Sequence, residues 1–312
     1  MRNIHLLVLA ISSLLGGCAT EHSQSAAIEQ TVPALHASST AKKLVLATWN
    51  MEHLAFPGAS GCKPRQPEEI VAMAEYAKGL KADIVALQEV ASEQALQAIF
   101  PADSWQIIVS QRPDSKAYEC RESGYTSTQQ KVAFAVRKAL KVHNIQQFDA
   151  LALDLPGLRY GLVLNVDTPY GRTDILNVHL KSGCFVDDYA NSDKEACQIL
   201  ARQVPVLQSW MSQHAAQNKP YVIMGDFNHR LANAENHLAK VIKAQDPNLH
   251  LTTQSMVGCH PRYPAPIDHI MLGGMPTTVL SISANSHFYK DMDENGMLSD
   301  HCAVSVSLTS AN

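Results

Sequence analysis

The chain has 312 residues, of which 46% are hydrophobic and 17% charged, and its formal net charge is −4. This net charge excludes a global positive field of the kind that attracts nucleic acid, although it is compatible with a local basic groove. The length suits one large domain better than two.

The first residues predict an export signal. Arg2 supplies a positive start, residues 4–15 form an apolar run, and Leu15-Gly16-Gly17 forms a small-residue cleavage site before Cys18. The run is too short to span a bilayer. Cys18 stands where bacterial lipoprotein signals place their lipidated cysteine, so we expect residues 1–17 to be removed and Cys18 to be acylated. Ordinary secretion with an incidental Cys18 is the alternative.

Residues 18–41 predict a flexible tether, because they are rich in Ser, Ala, Thr and Gln and lack apolar periodicity. Residues 42–312 are then the folded domain. We expect an exported monomer that contacts the membrane only through its N-terminal lipid anchor. Ala19 lacks the aspartate that often signals inner-membrane retention, which favours the outer membrane, and a periplasmic or extracellular protein is the other possibility.

Six cysteines follow Cys18, an even number that favours disulfides in an exported chain. We expect Cys184 to pair with Cys197 and Cys62 with Cys120, and the sequence leaves Cys259 and Cys302 open. A zinc site is a weaker alternative, because no CxxC pair accompanies the possible ligands. These ligands would be Cys259, His260, His301 and Cys302.

Nine short, apolar and often β-branched stretches predict strands. They are Leu44 to Trp49, Ile84 to Gln88, Gln106 to Val109, Val132 to Arg137, Gly161 to Val166, Thr173 to His179, Tyr221 to Met224, Ile267 to Leu272 and Cys302 to Leu308. Helical patterns cover Pro67 to Leu80, Lys194 to Gln213 and Ala232 to Lys243, and Pro205 is expected to bend or interrupt the second. Mixed strands and helices over this length imply packed sheets faced by helices.

Six of the apolar stretches carry acids, amides or histidines at one end, which is how an α/β scaffold assembles a hydrolytic site. These polar residues are Asn50, Glu89, His179 with Lys181, Asp226 with Asn228, Asp268, and Asp300 with His301. Asp226 and Asn228 are two residues apart and would point the same way from an extended backbone. Tyr125 and Gln130 precede another strand, but their pattern assigns them no role.

The segments TWNMEHL, DIVALQEV, NVHLKS, MGDFNHR, IDHI and LSDHCAV, in this order, resemble the endonuclease/exonuclease/phosphatase superfamily, which has the fold of deoxyribonuclease I. The resemblance runs from about Leu44 to Leu308. It implies a four-layer α/β sandwich, in which two mixed β-sheets pack face to face and are flanked by helices. It also implies hydrolysis of a phosphate ester with a divalent metal ion.

The resemblance implies a metal site with hard oxygen ligands, which suit Mg²⁺ and also Mn²⁺ or Ca²⁺. Glu89 is the first-choice ligand, Asn50 adds a neutral oxygen, and Asp300 is a further acid of the metal shell. A strand-end carboxylate that caps the following helix is the alternative for Glu89.

The same resemblance assigns catalytic roles. Asp226 would orient or deprotonate the attacking water, and the Asn228 amide would donate to a phosphate oxygen. Asp268 would orient His301, because adjacent residues of an extended chain face opposite ways and Asp300 is therefore a poor partner. Either His301 or Asp226 could be the general base. An Asx turn is the alternative reading of Asp226 and Asn228.

His179 and Lys181 are the expected substrate contacts, together with Asn228. His179 would donate to a non-bridging phosphate oxygen, and Lys181 would reach the scissile phosphate or a neighbouring one. The alternatives are a structural histidine and a solvated surface lysine.

An exported, endonuclease-like enzyme that acts on nucleic acid is the function that this pattern favours. The block GCHPRYPAPIDHI lacks the WCDRI pattern of inositol phosphatases, and export disfavours chromosomal repair. A phospholipid or sphingomyelin phosphodiesterase or a phosphatase of the same superfamily is the alternative. A binding module without turnover is a weaker one, because every catalytic landmark is intact.

Overall fold

Two six-stranded β-sheets form the centre of the protein in a computed structural model, and helices cover their outer faces. The structure describes residues 42–57, 61–114, 116–120, 124–127, 130–261, 264–275, 280–293 and 296–310. The expected signal peptide, Cys18 and the tether lie outside these residues, so the domain boundaries remain predictions.

The strands are β1 (Lys43–Leu54), β2 (Ile84–Val90), β3 (Trp105–Val109), β4 (Tyr118–Glu119), β5 (Thr126–Ser127), β6 (Lys131–Arg137), β7 (Val142–Phe148), β8 (Gly161–Thr168), β9 (Gly171–His179), β10 (Tyr221–Asp226), β11 (His250–Leu251), β12 (Asp268–Gly273), β13 (Leu280–His287) and β14 (Ala303–Ser310). The helices are α1 (Pro67–Gly79), α2 (Glu93–Gln97), α3 (Glu195–Ala216) and α4 (His237–Gln245). Short 3₁₀ turns cover Asp149–Ala152 and Tyr189–Asn191.

Both large sheets are mixed. The first has the strand order β13-β14-β1-β2-β6-β3, and the second has the order β11-β12-β10-β9-β8-β7. In the first sheet β1 runs parallel to β2, in the second β10 runs parallel to β9, and the other pairs are antiparallel. Strands β4 and β5 form a separate two-stranded hairpin.

Three apolar cores separate four layers. The central core lies between the sheets, where Leu46 and Phe134 of the first sheet belong to the same buried cluster as Leu164 and Ile270 of the second. A second core packs α1 and α2 on the outer face of the first sheet. A third packs α3 and α4 on the outer face of the second sheet. The predicted four-layer α/β sandwich is therefore confirmed.

A buried polar bridge crosses the central core. The Asn177 amide on β9 donates to the carbonyls of Leu87 on β2 (3.0 Å) and Ala133 on β6 (2.8 Å). The Gln88 amide on β2 donates to Asn177 Oδ1 at 2.8 Å and to Thr48 Oγ1 on β1 at 3.1 Å. A buried donor without a partner destabilises a fold, so these bonds fix how the two sheets are aligned.

All nine predicted strands are present, but β7 and β13 were missed, as were the two-residue strands β4, β5 and β11. The helix expected from Ala232 begins only at His237, because Asn236 caps it by accepting a hydrogen bond from the Ala239 amide. Pro205 was expected to bend or interrupt its helix, and the interruption was wrong, since α3 is continuous from Glu195 to Ala216. Its buried face, which includes Leu207 and Trp210, stabilises the helix despite the missing amide donor.

Three disulfides join the six cysteines of the domain. The expected pairs, Cys184–Cys197 and Cys62–Cys120, are confirmed. Cys259 bonds to Cys302, which settles the pair that the sequence left open. The zinc alternative was wrong, because both of its cysteine ligands are used in this bond.

None of the helices within the described ranges is both long and apolar enough to cross a membrane.

Candidate active site

Three polar residues stand level with one another on adjacent strands of the second sheet. Asp226 at the end of β10 pairs in register with His179 at the end of β9 on one side. On the other side it pairs with Asp268 at the start of β12. The strand register therefore brings together three of the predicted catalytic residues, although they are far apart in sequence.

The first sheet contributes Asn50 from β1 and Glu89 from β2. The Asn50 amide donates to Asp226 Oδ2 at 3.1 Å, which connects the two sheets at the site. Glu89 Oε1 and Asp226 Oδ2 lie 3.8 Å and 3.4 Å from His179 Nε2. Asn50 and Glu89, two of the three expected metal ligands, thus lie beside the polar residues at the edge of the second sheet.

His301 reaches the same place from the segment that precedes β14. Its Nδ1 lies 2.7 Å from Asp268 Oδ2, so the ring donates to this carboxylate as the sequence predicted. Its Nε2 lies 3.9 Å from Asp226 Oδ2. The bond to Asp268 orients the ring so that Nε2 faces Asp226.

Asp300 is the most exposed of the expected ligands, with 55% of its side chain accessible. Its carboxylate lies 3.9 Å from His301 Nε2 and makes no hydrogen bond with that ring among the described residues. Its backbone amide donates to Glu52 Oε2 at 2.9 Å. Asp300 therefore lies at the solvent side of the site.

Four non-glycine residues of the site have positive φ angles: Glu52 (42°), His53 (56°), Glu89 (60°) and Asn228 (53°). This region is unfavourable for residues with a side chain, and such strain concentrates at functional sites. At Glu89 the positive φ angle accompanies a shift in the register of β2 against β6. The carboxylate there accepts from the Gln130 amide at 2.6 Å and from the His53 backbone amide at 3.2 Å.

The expectation that Asp226 and Asn228 point the same way from an extended backbone was wrong. Strand β10 ends at Asp226, and the Asn228 backbone amide donates to Asp226 Oδ1 at 2.8 Å, which is an Asx turn. The Asn228 side chain donates to the Leu180 carbonyl at 3.2 Å. The turn still leaves Asn228 beside the site, since it lines the same cavity as His301.

Burial controls the charge of the two central groups. Burial is the main reason that the pKa of Asp226 is raised to about 7; the charge of His301 opposes this shift, and the charge of Asp268 adds to it. For His301, burial alone would lower the pKa, but the carboxylates of Asp268, Asp300 and Asp226 together raise it well above its usual value. A proton acceptor thus stands beside a protonated imidazole near neutral pH.

Arg159 is a site residue that the sequence interpretation missed. Its Nη2 contacts His179 Nε2, and because a guanidinium can only donate, this ring nitrogen must accept. Burial, and then Arg159, lowers the pKa of His179 well below its usual value. The expected donation from His179 to phosphate is therefore not available from Nε2 in this arrangement, and the donor at this position is Arg159.

Lys181 is half-buried and donates to the Ser182 carbonyl at 2.7 Å. Burial lowers its pKa, and the positive charge of Arg159 lowers it further. Lys181 is therefore partly removed from solvent, and its charge interacts with that of Arg159.

The donor set fits a hard divalent cation. Asp226 and Asp268 each offer a carboxylate oxygen, and these atoms and a ring nitrogen of His301 lie within 4.8 Å of one another. The two carboxylates can bind a cation, whereas the protonated His301 ring acts as a donor. Asp268 Oδ1 is buried and has no hydrogen-bond partner among the described residues, which leaves a carboxylate oxygen free for a ligand. Glu89 supplies a further carboxylate oxygen beside His179. Asn50 faces Asp226 with its amide nitrogen, and its oxygen accepts from the Glu52 backbone amide at 3.0 Å. This oxygen-rich set is typical of Mg²⁺, Mn²⁺ or Ca²⁺.

A cavity of about 360 Å³ opens beside the Asp268–His301 pair. Its wall includes Asn228 and Phe185, and the Phe185 side chain is 62% exposed. The site therefore has room for a substrate group next to its polar centre.

Comparisons with known proteins agree with this geometry. The human Nocturnin catalytic domain with bound sulfate anion is similar in structure, with a TM-score of 0.63 and 16% identity over 86% of this chain and 94% of that chain. Truncated Caenorhabditis elegans TDP2 has a TM-score of 0.60 and 13% identity over 86% and 98%. An endonuclease/exonuclease/phosphatase family protein from Bacteroides thetaiotaomicron has a TM-score of 0.58 and 15% identity over 87% and 99%. These identities show a shared fold alone.

No curated protein matches the chain. The sequence model of the Endonuclease/Exonuclease/phosphatase family, however, matches residues 47–301, which include all of the candidate active-site residues. The chain belongs to the endonuclease/exonuclease/phosphatase family.

Proposed function

We propose that the protein is a divalent-metal-dependent phosphodiester hydrolase that acts on nucleic acid outside the cytoplasm. Members of the family are generally hydrolases of phosphoester bonds and depend on a divalent metal. The observation that carries the proposal is the meeting of Asp226 with the Asp268–His301 pair, beside Asn50 and Glu89 from the opposite sheet.

Each residue of the site has a separate role in phosphodiester hydrolysis. Asp226, whose pKa is about 7, takes the proton of the attacking water. His301 is protonated and held by Asp268, so its Nε2–H stabilises negative charge on the phosphate or on the leaving oxygen. Arg159 adds a second fixed positive charge on the opposite side of Asp226.

Asn50, Glu89 and Asp300 would hold the metal ion, and the free oxygen of Asp268 adds a further ligand. Mg²⁺, when bound, lowers the pKa of a water molecule and neutralises phosphate oxygens. Mn²⁺ or Ca²⁺ has the same ligand preference and could replace it.

Export and lipid anchoring at Cys18 are part of the proposal. The apolar run before Cys18 supports them, and so do the three disulfides of the domain, because disulfides persist in oxidising compartments. Expression in a bacterium, followed by globomycin treatment and fractionation, tests this. The proposal predicts a larger, unprocessed precursor, and a Cys18→Ser protein that leaves the membrane fraction.

The activity is tested with the full chain on plasmid DNA, RNA, sphingomyelin and phosphoinositides, with Mg²⁺ or with chelator. We expect metal-dependent cleavage of a nucleic acid and its loss in Asp226→Asn. Turnover of lipids alone would replace the nuclease proposal. Metal binding without cleavage of any substrate would favour a binding module.

A phospholipid or sphingomyelin phosphodiesterase is the second candidate. The observation that favours it is the exposed aromatic side chain of Phe185 in the cavity wall, at 62%, together with Phe288, at 53%, which stands two residues after the cavity-lining Ser286. Exposed aromatic rings insert readily into a membrane interface. Replacing both by Ser would abolish binding to sphingomyelin vesicles if they serve this purpose, and it would leave vesicle binding unchanged otherwise.

A further inference from the structure

Two arginines near the active site are buried without full hydrogen bonding. Arg112 is 8% exposed and Arg159 is 9% exposed. Arg112 Nη1 and Arg159 Nε are both buried and have no hydrogen-bond partner among the described residues. An unpaired buried guanidinium N–H is costly, and a bound anion offsets that cost.

Arg112 lies at the same edge of the sheets as the active site. The Ser110 amide donates to the Val132 carbonyl at the start of β6, two residues after Gln130, whose amide donates to Glu89. The Arg112 guanidinium lies 6.0 Å from the centre of the Tyr160 ring. Tyr160 directly follows Arg159 in the chain, and the charges of Arg112 and Arg159 interact, so the two guanidinium groups belong to the same region.

A third cation, Lys181, completes the group. Within the described ranges, no acidic side chain forms a salt bridge with Arg112, Arg159 or Lys181. Burial lowers the pKa of Arg112, and the charge of Arg159 lowers it further. Arg159 therefore repels both Arg112 and Lys181, while Glu89 and Asp226 offset the charge of Arg159 itself.

The scissile phosphate needs only part of this charge. Arg159 contacts His179, which lies within 4 Å of both Asp226 and Glu89, so Arg159 belongs to the reaction centre. Arg112 makes no hydrogen bond or salt bridge with these residues within the described ranges, and its buried Nη1 is unpaired, so Arg112 is left for a different anion. The extra positive charge has a purpose only if the substrate carries a second negative group next to the bond that is cleaved.

We propose that Arg112, assisted by Lys181, forms a subsite for a second phosphate group that neighbours the scissile ester. This inference rests on the proposed function and specifies its substrate class, which is an ester with adjacent phosphates. A nucleic-acid strand or a phosphorylated inositol headgroup meets this requirement. Sphingomyelin does not, because its headgroup has one phosphate and a positive choline.

The test compares matched substrates that differ by one phosphate. The first pair is the thymidine dinucleotide TpT and the same dinucleotide with a 5′- or 3′-phosphate. The second pair is glycerophosphoinositol with and without a 4-phosphate. Bis(p-nitrophenyl) phosphate, which has a single negative charge, reports the chemistry alone. Turnover in Mg²⁺ gives kcat/KM for each compound.

The variants are Arg112→Gln, Arg112→Lys and the control Arg172→Gln. Arg172 lies near the start of β9, seven residues and roughly 23 Å from His179 at the other end of that strand. It is 58% exposed and pairs with Asp167. Thermal unfolding of each variant shows whether it is folded.

The wild type should prefer the phosphorylated member of at least one pair by about ten-fold or more, as expected for a charge-assisted hydrogen bond. Arg112→Gln should lose most of this preference, Arg112→Lys should keep part of it, and Arg172→Gln should match the wild type. The rate on bis(p-nitrophenyl) phosphate should stay within about two-fold throughout. The pair that responds identifies the source of the second phosphate.

An equal preference in wild type and Arg112→Gln overturns the subsite while leaving the hydrolase proposal intact. So does an equal loss on all substrates, because Arg112 would then act on the reaction itself. If no substrate is turned over, the hydrolase proposal fails and calorimetric binding of the same dinucleotides in chelator decides the subsite. Tighter binding of phosphorylated TpT that Arg112→Gln abolishes supports it, and equal binding of both forms overturns it.

Discussion

Acidification should destabilise the protein through His269, a buried ring that supports the active-site turn. His269 is fully buried, its Nε2 lies 2.9 Å from the His229 carbonyl, and its Nδ1 lies 2.6 Å from the Thr253 hydroxyl. Burial lowers its pKa from 6.5 to about 4. The neutral ring therefore fits the fold, and the charged ring does not.

The direction of the change in stability with pH follows from proton uptake by His269. The unfolded chain binds the proton at pH 6.5 and the folded chain only at about pH 4, so the stabilising effect is complete above pH 6.5 and is lost as the pH falls. The expected loss from this residue is about 2 kcal/mol at pH 5 and about 3 kcal/mol below pH 4. Because His269 contacts the His229 carbonyl, this loss of stability should affect the turn that follows Asn228.

Urea unfolding at pH 7 and pH 5 measures the effect. The wild type includes contributions from several histidines, and the variant His269→Gln removes one of them while retaining a donor for the His229 carbonyl. The variant should be less stable at pH 7, but its loss between pH 7 and pH 5 should be smaller than that of the wild type by about 2 kcal/mol. An identical loss in both proteins would refute the reasoning.

Three further changes test the site and the fold. His301→Ala should lower metal-dependent kcat/KM by at least about 100-fold, because the charge that stabilises the transition state is removed; full turnover in this variant would disprove the assignment. Glu89→Gln should raise the Mg²⁺ concentration needed for half-maximal activity by about ten-fold, and an unchanged metal titration would show that Glu89 is not a ligand. Replacing Cys184 and Cys197 together by Ser opens a link across 13 residues and should lower the free energy of unfolding by about 3 kcal/mol in urea titrations, whereas an unchanged midpoint would contradict this.

Most of the strands that the sequence predicted have two buried faces, and the edge strand β3 is an exception. β2 and β10 are buried almost throughout, so their apolar runs are uninterrupted. β7 and β13 are edge strands with many exposed or half-buried positions, and β13 alternates serine with apolar residues. A pattern of this kind is weak in the sequence, because neither face has to be apolar throughout.

The site was predictable where a residue stands at the end of a buried strand, as Asp226 and His179 do. Arg159 gave no such signal, since it stands in a loop before β8. It reaches the site only because β8 runs antiparallel to β9, which places the start of one strand next to the end of the other. To predict Arg159 as a site residue, one would have had to know from the sequence that β8 pairs with β9. Likewise, the turn at Asn228 depends on a positive φ angle that a strand pattern does not indicate.

The buried bridge from Asn177 to Gln88 has a consequence for how this site could change. Each of these residues stands just before a site residue, Asn177 two positions before His179 and Gln88 one position before Glu89. Sliding one sheet past the other by a single position would leave several amide groups dehydrated and unbonded. The residues at the ends of the strands can therefore be replaced, and the substrate changed with them, because the alignment of the two sheets does not depend on those side chains.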